Sequence, residues 1–410
     1  MSHLPSWILW ASMGCFLASC ASPKITPGIV VPTRVVEVES PHRATPIPTE
    51  TDTPVTSTPV PTATPTEILI PSTATDTEYQ SGFPFIAVDS VARLTQVQQV
   101  DLPSAAWSMA TSPTSSDVSI GMNSGALALF RLPLSVSSDP NLLMVNNTNG
   151  DQPVLSIAFS ANGNSIAASI LAEDKTRIVD AITGETYASL PYSVQTVAFS
   201  KDEETIYYGD FDRVARRTIG REVLGIPVLF GDGKDGLVCS VAYSPASEML
   251  IVGYCDYRIE GWRDDGLGNP QRSYLIDNLR DYACESRSCG WAEFNQIRLS
   301  ADGRRFLSVI RDERVGVWDA VTGEQVAILE HERAPSLKYP ADAAFSPDGS
   351  IAYVVAGDRI YAFEAISGAL LTEITLPGVD FLLTVGPSGD GRFLYVTDDT
   401  PLLRVWAVEP

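Results

Sequence analysis

Three histidines, six cysteines and 50 carboxylates are the side chains from which this 410-residue sequence would have to build a reactive centre. His3 and His42 lie before the repetitive part of the chain, which leaves His331, within "LEHERAPS". One histidine rules out a His-rich metal site and makes a Ser-His-Asp arrangement depend on His331 alone. Its polar surroundings fit a solvated loop residue. The acidic stretches "YGDFDR" (208–213), "GDGKDG" (231–236), "RDDGLGN" (263–269) and "VTDDT" (396–400) offer many oxygen ligands. None has the D-x-[DN]-x-[DN]-G spacing that wraps one calcium ion, and Asp beside Gly is what a hairpin turn calls for. No phosphate-binding Gly-Lys loop, nucleophile elbow or dinucleotide fingerprint is present. Two carboxylates roughly 5–10 Å apart would suffice for glycoside cleavage, but nothing in the sequence singles out a pair. No catalytic residue, metal site or cofactor is therefore expected.

The cysteines point to export. Residues 1–20, "MSHLPSWILWASMGCFLASC", contain no Asp, Glu, Lys or Arg. Their apolar run of about 12 residues is short of the ~20 that span a bilayer and fits the core of a signal segment. Leu17-Ala18-Ser19-Cys20 resembles the bacterial lipobox, in which a cysteine after small residues is acylated; an ordinary secretory signal ending in a chance cysteine is the alternative. The amino-terminal part lacks the usual Lys or Arg. Residues 45–77 hold 12 Thr and 7 Pro, a composition that forms no core and extends as a polyproline-like stalk. The order is thus a lipoprotein signal peptide (1–20), a disordered Pro/Thr-rich stalk (21–82) and a folded domain (83–410), held to the membrane through lipid on Cys20 only. Export permits disulfides. Cys284 and Cys289, in "DYACESRSCGW", are spaced to close a small ring, and Cys239 and Cys255 are expected to be neighbours across one hairpin.

The formal charge of −22 would repel a nucleic acid, and no Lys/Arg cluster opposes it. Apolar residues make up 44%, enough for a core.

What that core consists of follows from a repeat. "VLSIAFSANGNSIAAS" (154–169), "VQTVAFSKDEETIYYG" (194–209), "VCSVAYSPASEMLIVG" (238–253), "FNQIRLSADGRRFLSVI" (294–310), "AFSPDGSIAYVVAGDRIYAFEAISG" (344–368) and "FLLTVGPSGDGRFLYVT" (381–397) are variants of one phrase, with a fainter copy at 106–122. Anchors at Ser112, Ser160, Ser200, Ser244, Ser300, Ser346 and Gly386 fall 48, 40, 44, 56, 46 and 40 residues apart. That is the period of a propeller blade. Each copy reads as an apolar strand, a tight turn, a β-branched and aromatic strand, then a third strand closing with D/E-A-x-x-G, as in "VDAITGE", "WDAVTGE" and "FEAISGA". The glycine there permits the positive φ of a turn into an outer strand. A sheet this small cannot stand alone, so the copies must bury one another's faces in a ring. The last copy ends only three strands in, with "LLRVWAVE" (402–409); the missing strand is expected from "RLTQVQQVDL" (93–102), closing the ring. The fold is therefore an all-β, seven-bladed β-propeller, with six or eight blades compatible with the same spacing.

The phrase "AFSPDG…IAYVVAGDRIYAFEAISG", with "LYVTDD" (394–399), resembles the bacterial WD-repeat and YVTN-type β-propellers over about residues 83–410. Only Trp318-Asp319 spells the WD dipeptide, and no Gly-His pair occurs, so most of the hydrogen-bonded tetrad of such repeats is missing.

The longest connection, 277–293, carries Arg280, Tyr282, Arg287 and Trp291, residue types that anchor interfaces. It is the candidate binding loop, to be weighed against an insertion tolerated at a loop tip. The expected function is a monomeric, extracytoplasmic, lipid-anchored scaffold that binds a protein or glycan of the cell envelope through rim loops. The alternatives are a carboxylate-dependent hydrolase or lyase acting on saccharides at the propeller axis, and a purely structural envelope protein.

Overall fold

Runs of alternating and continuous apolar residues broken by Ser-Pro-Asp-Gly or Gly-Asp pairs leave the backbone one economical solution, the antiparallel meander. Blade 6 shows it plainly. Pro340–Phe345, Ile351–Ala356, Arg359–Glu364 and Leu370–Thr375 form one sheet in sequence order. The second strand is buried at every position, because sheets pack on both its faces, while the outer strand is partly exposed.

In the computed structural model, residues 82–131, 141–144, 153–210, 213–219, 227–230, 237–264, 269–277, 279, 295–310, 314–331 and 340–410 are described. They form seven four-stranded sheets. Blades 1 to 6 span residues 106–144, 154–190, 196–230, 238–276, 295–329 and 340–375; blade 7 combines 382–408 with 94–101. The first strand of each blade touches the first strands of both neighbours, so these seven strands close a ring about the axis.

The ring is fastened where the sequence places it. Leu94–Asp101 pairs antiparallel with Leu402–Val408, from Leu94 opposite Val408 to Asp101 opposite Leu402. Upstream of that strand the chain is pinned as well. The Ile86 amide donates to the Gly391 carbonyl (2.9 Å), the Phe83 ring meets Phe393 edge-on (5.4 Å), and the Arg392 guanidinium stacks over Phe85 (4.4 Å). Val91 and Leu94 are buried against Leu394, Val396 and Val408 of blade 7 and Tyr353 of blade 6. Between blades 7 and 1 the core is Phe393, Tyr395, Ile120 and Met122; between 5 and 6 it is Leu307, Val317, Phe345 and Val354. The hydrophobic core is therefore distributed around the circle as inter-blade layers.

The anchor serines explain the turns. Ser346 is buried; its amide donates to the Ile351 carbonyl (2.8 Å), its hydroxyl donates to Asp348 (2.6 Å) and accepts from the Ile351 amide (2.9 Å). The same cap recurs at Ser300 with Asp302 and at Ser388 with Asp390. This corrects the last anchor. Ser388, not Gly386, holds the turn of blade 7, because Gly386 lies in the strand two residues earlier. At the other turn of this rim, Asp319 accepts from the Val321 and Thr322 amides (2.9 and 2.8 Å), and Gly323 takes φ +72°. The aspartate of the single WD dipeptide thus caps a turn. Trp318 keeps one contact of the tetrad, donating from Nε1 to the buried Ser308 hydroxyl (2.9 Å).

Candidate functional site

Two kinds of surface are left once the blade faces are buried: the axial opening bounded by the first strands, and the two rims.

The axial ring is stitched by one position. Four residues before the anchor serine stand Ser108, Ser156, Thr196, Ser240, Gln296, Asp342 and Thr384. Six of them reach the next blade with a polar atom, Gln296 instead accepting from Arg298 of its own strand. The Val197 amide donates to Ser156 (3.3 Å), Val241 to Thr196 (3.0 Å), Ile297 to Ser240 (3.0 Å) and Val385 to the Asp342 carboxylate (3.2 Å), while the Ser108 hydroxyl donates to the Val154 carbonyl (2.8 Å). Edge amides that a free first strand would leave unpaired are satisfied by a neighbour's side chain.

Two residues before the anchor the ring needs small side chains: Ala110, Ala158, Ala198, Ala242, Ala344 and Gly386. A Cβ on Gly386 would lie 2.9 Å from Thr111 Cγ2, so close approach of blades 7 and 1 accounts for the glycine. Blade 5 departs from this pattern with Arg298. Its guanidinium, 37% exposed, lies 3.1 Å from Asp342 and donates to Gln296 (2.8 Å). Asp342 is buried; that burial pushes its carboxyl above the usual carboxylate range, while Arg298 and the Val385 and Ala343 amides pull it back. Among the described residues of the first strands Asp342 is the sole acid, and it is already paired. These strands do not assemble the pair of carboxylates that a saccharide-cleaving centre uses. A charged residue at a position otherwise held by Ala or Gly is the sequence signal for Arg298, visible only once the copies are aligned on their anchors.

The residues named from the sequence fall as follows. Cys239 and Cys255 are joined by a disulfide, with Cα atoms 5.3 Å apart. Val238 pairs with Tyr254 and Ser240 with Gly253, and the bulge between them sets Cys239 beside Cys255. Cys20, Cys284 and Cys289, together with Arg280, Tyr282, Arg287 and Trp291, lie outside the described residues. His331 is half-buried with its ring 5.6 Å from Tyr361. In "VTDDT", Asp398 is buried and bound by Arg404 (2.7 Å) and the Thr400 amide (2.9 Å). The neighbouring Asp399 carboxyl is raised by burial and by the charge of Asp398. Among the described residues no cluster of three or more His, Cys, Asp or Glu could hold a metal ion.

Register places the start and end of the propeller. Leu94 opposite Val408, and Ile86 on Gly391, put both on the rim that carries the Ser-x-Asp-Gly and D/E-A-x-x-G turns. On the opposite rim each fourth strand ends and the first strand of the next blade begins, as at Ile276 and Asn295.

No family model matches the chain, and no curated protein matches it. Among solved structures it is similar to the β-propeller domain of Cps50 (Swd1) from Myceliophteria thermophila, at 12% identity and a TM-score of 0.62, over 77% of this chain and 99% of that one. At this identity the likeness speaks for the fold alone. The class is a seven-bladed β-propeller.

Proposed function

We propose that this chain is an extracytoplasmic scaffold, tethered through lipid on Cys20 and the Pro/Thr-rich stalk, that presents the rim opposite its chain ends to a protein partner. The observation that carries this reading is the placement of the propeller's start and end on one rim, by the Leu94–Val408 register and the Ile86–Gly391 hydrogen bond. A tether that joins the propeller at Ile86–Leu94 leaves the other rim free for a partner. In the sequence the longest connection between copies, 277–293, holds Arg280, Tyr282, Arg287 and Trp291, the side chains suited to anchoring an interface. A ring whose blades are locked to each other loses little freedom on binding, which favours such a role.

Fractionation of cells expressing the natural chain and Cys20→Ser tests the tether: the variant should leave the membrane fraction. Cross-linking in intact cells, compared between the natural chain and a deletion of residues 281–290, tests the rim. An identical set of cross-linked proteins would remove that connection from the function.

A further inference from the structure

The rim on which the propeller begins and ends has a groove of its own, independent of the tether. A groove of about 710 Å³ opens between blades 4 and 5, lined by Ala246, Ser247, Arg263, Asp302, Arg304 and Val321. Both arginines are exposed, and Val321 is 41% exposed beside them. Among the described residues neither guanidinium takes part in a hydrogen bond or ion pair. Most other arginines do, as with Arg216 on Asp264, Arg272 on Glu260 and Arg404 on Asp398. On a chain with 50 acidic and 28 basic residues, a groove lined by two guanidiniums and one carboxylate is a local excess of positive charge. Among the described residues the negative groups nearby include Asp302 on the wall, which the Arg304 charge reaches, and the exposed Glu248 on the adjoining turn. Asp302 is engaged by the Ser300 hydroxyl (2.6 Å) and the Arg304 amide (3.1 Å).

The groove is also held in shape. The Ala320 amide donates to the Arg304 carbonyl (2.8 Å), and the Tyr274 hydroxyl of blade 4 donates to the Ala320 carbonyl (3.0 Å). Asp319 fixes the Val321 amide (2.9 Å). At the floor, Gly303 takes φ +65°, and a Cβ there would lie 2.0 Å from the Ser244 hydroxyl, so blades 4 and 5 interlock. Backbone that positions Arg304 and Val321 is fastened before any ligand arrives.

We propose that this groove binds an acidic segment of a partner protein, with carboxylates received by Arg263 and Arg304 and a neighbouring aliphatic side chain laid against Val321. A guanidinium takes a carboxylate as a two-pronged acceptor, and an apolar contact next to it separates a peptide from a bare anion.

The test uses the full chain and a fluorescent octapeptide of alternating Glu and Leu, read by anisotropy at low and physiological salt. Binding should weaken with salt, and Arg263→Ala and Arg304→Ala should each cost about tenfold in affinity. Arg93→Ala should cost nothing. The double reversal Arg263→Glu with Arg304→Glu should reject that peptide and take one of alternating Lys and Leu, a gain that misfolding cannot mimic. No binding at millimolar peptide, equal binding of the Gln-Leu counterpart, or tighter binding of a short oligogalacturonate than of the peptide would each overturn the proposal.

Discussion

Arg298 and Asp342 meet at 3.1 Å across the boundary between blades 5 and 6, where other boundaries of the ring use a hydroxyl and an amide. Removing Arg298 leaves a buried carboxylate short of its counter-charge. Breaking a fully buried pair costs about 3–5 kcal/mol. With Arg298 over a third exposed, Arg298→Ala should cost about 2 kcal/mol at neutral pH, measured by urea unfolding. Burial already raises the Asp342 carboxyl above 3.8, so the folded protein takes up this proton more readily than the unfolded chain. The stability of the variant should therefore fall as pH rises through the window above 3.8, and its deficit should shrink towards pH 4. A deficit independent of pH would show that the pair does not act through charge.

The interlock of blades 4 and 5 makes a sharper prediction for glycine. Gly303 and Gly378 both have positive φ, +65° and +83°, but a Cβ on Gly303 would sit 2.0 Å from the Ser244 hydroxyl and one on Gly378 meets nothing within 4 Å. Gly378→Ala should cost about 1 kcal/mol from backbone strain alone. Gly303→Ala adds overpacking and should cost on the order of 3 kcal/mol. Equal melting-temperature shifts for the two variants would contradict this packing.

Much of this was legible in the sequence, for a physical reason. A blade cannot bury its own faces, so each copy repeats the same strand and turn demands, and repetition makes weak signals readable. The closing strand at 93–102 followed from counting strands in the last copy. Its observed partner register, Leu94 to Val408, follows the same logic. Spacing points to Gly386 as the last anchor, whereas Ser388, two residues on, performs the capping. The arginine groove was not legible: Arg263 belongs to a third strand of blade 4 and Arg304 to a turn of blade 5, and only closure of the ring brings them together.

The disulfide offers a redox prediction. Cys239 and Cys255 are 16 residues apart in sequence, and closing a loop of that size is worth about 3 kcal/mol, chiefly by restricting the unfolded chain. Reductant should lower the melting temperature of the natural chain by more than that of Cys239→Ser with Cys255→Ser, which lacks this loop closure. If reductant shifts that double variant equally, the stabilisation comes from elsewhere.

The clasp carries the largest consequence. Leu94, Val100 and Leu102 are buried, and Leu94–Asp101 supplies the outer strand of blade 7. A chain beginning at residue 82 keeps the Phe83 and Ile86 contacts together with the strand, and should melt in one transition like the full chain. A chain beginning at residue 103 loses the pairing that joins its two ends, exposing the edge of Leu402–Val408 and the inner faces of blades 7 and 1. Because the blades hold one another in a circle, that loss does not stay local. The shorter chain should unfold at markedly lower urea, lose cooperativity and be cut by protease within blade 7 first. A peptide of residues 82–102 added back should restore the protection. Unchanged melting of the chain beginning at 103 would mean that the inter-blade layers hold the ring without a clasp.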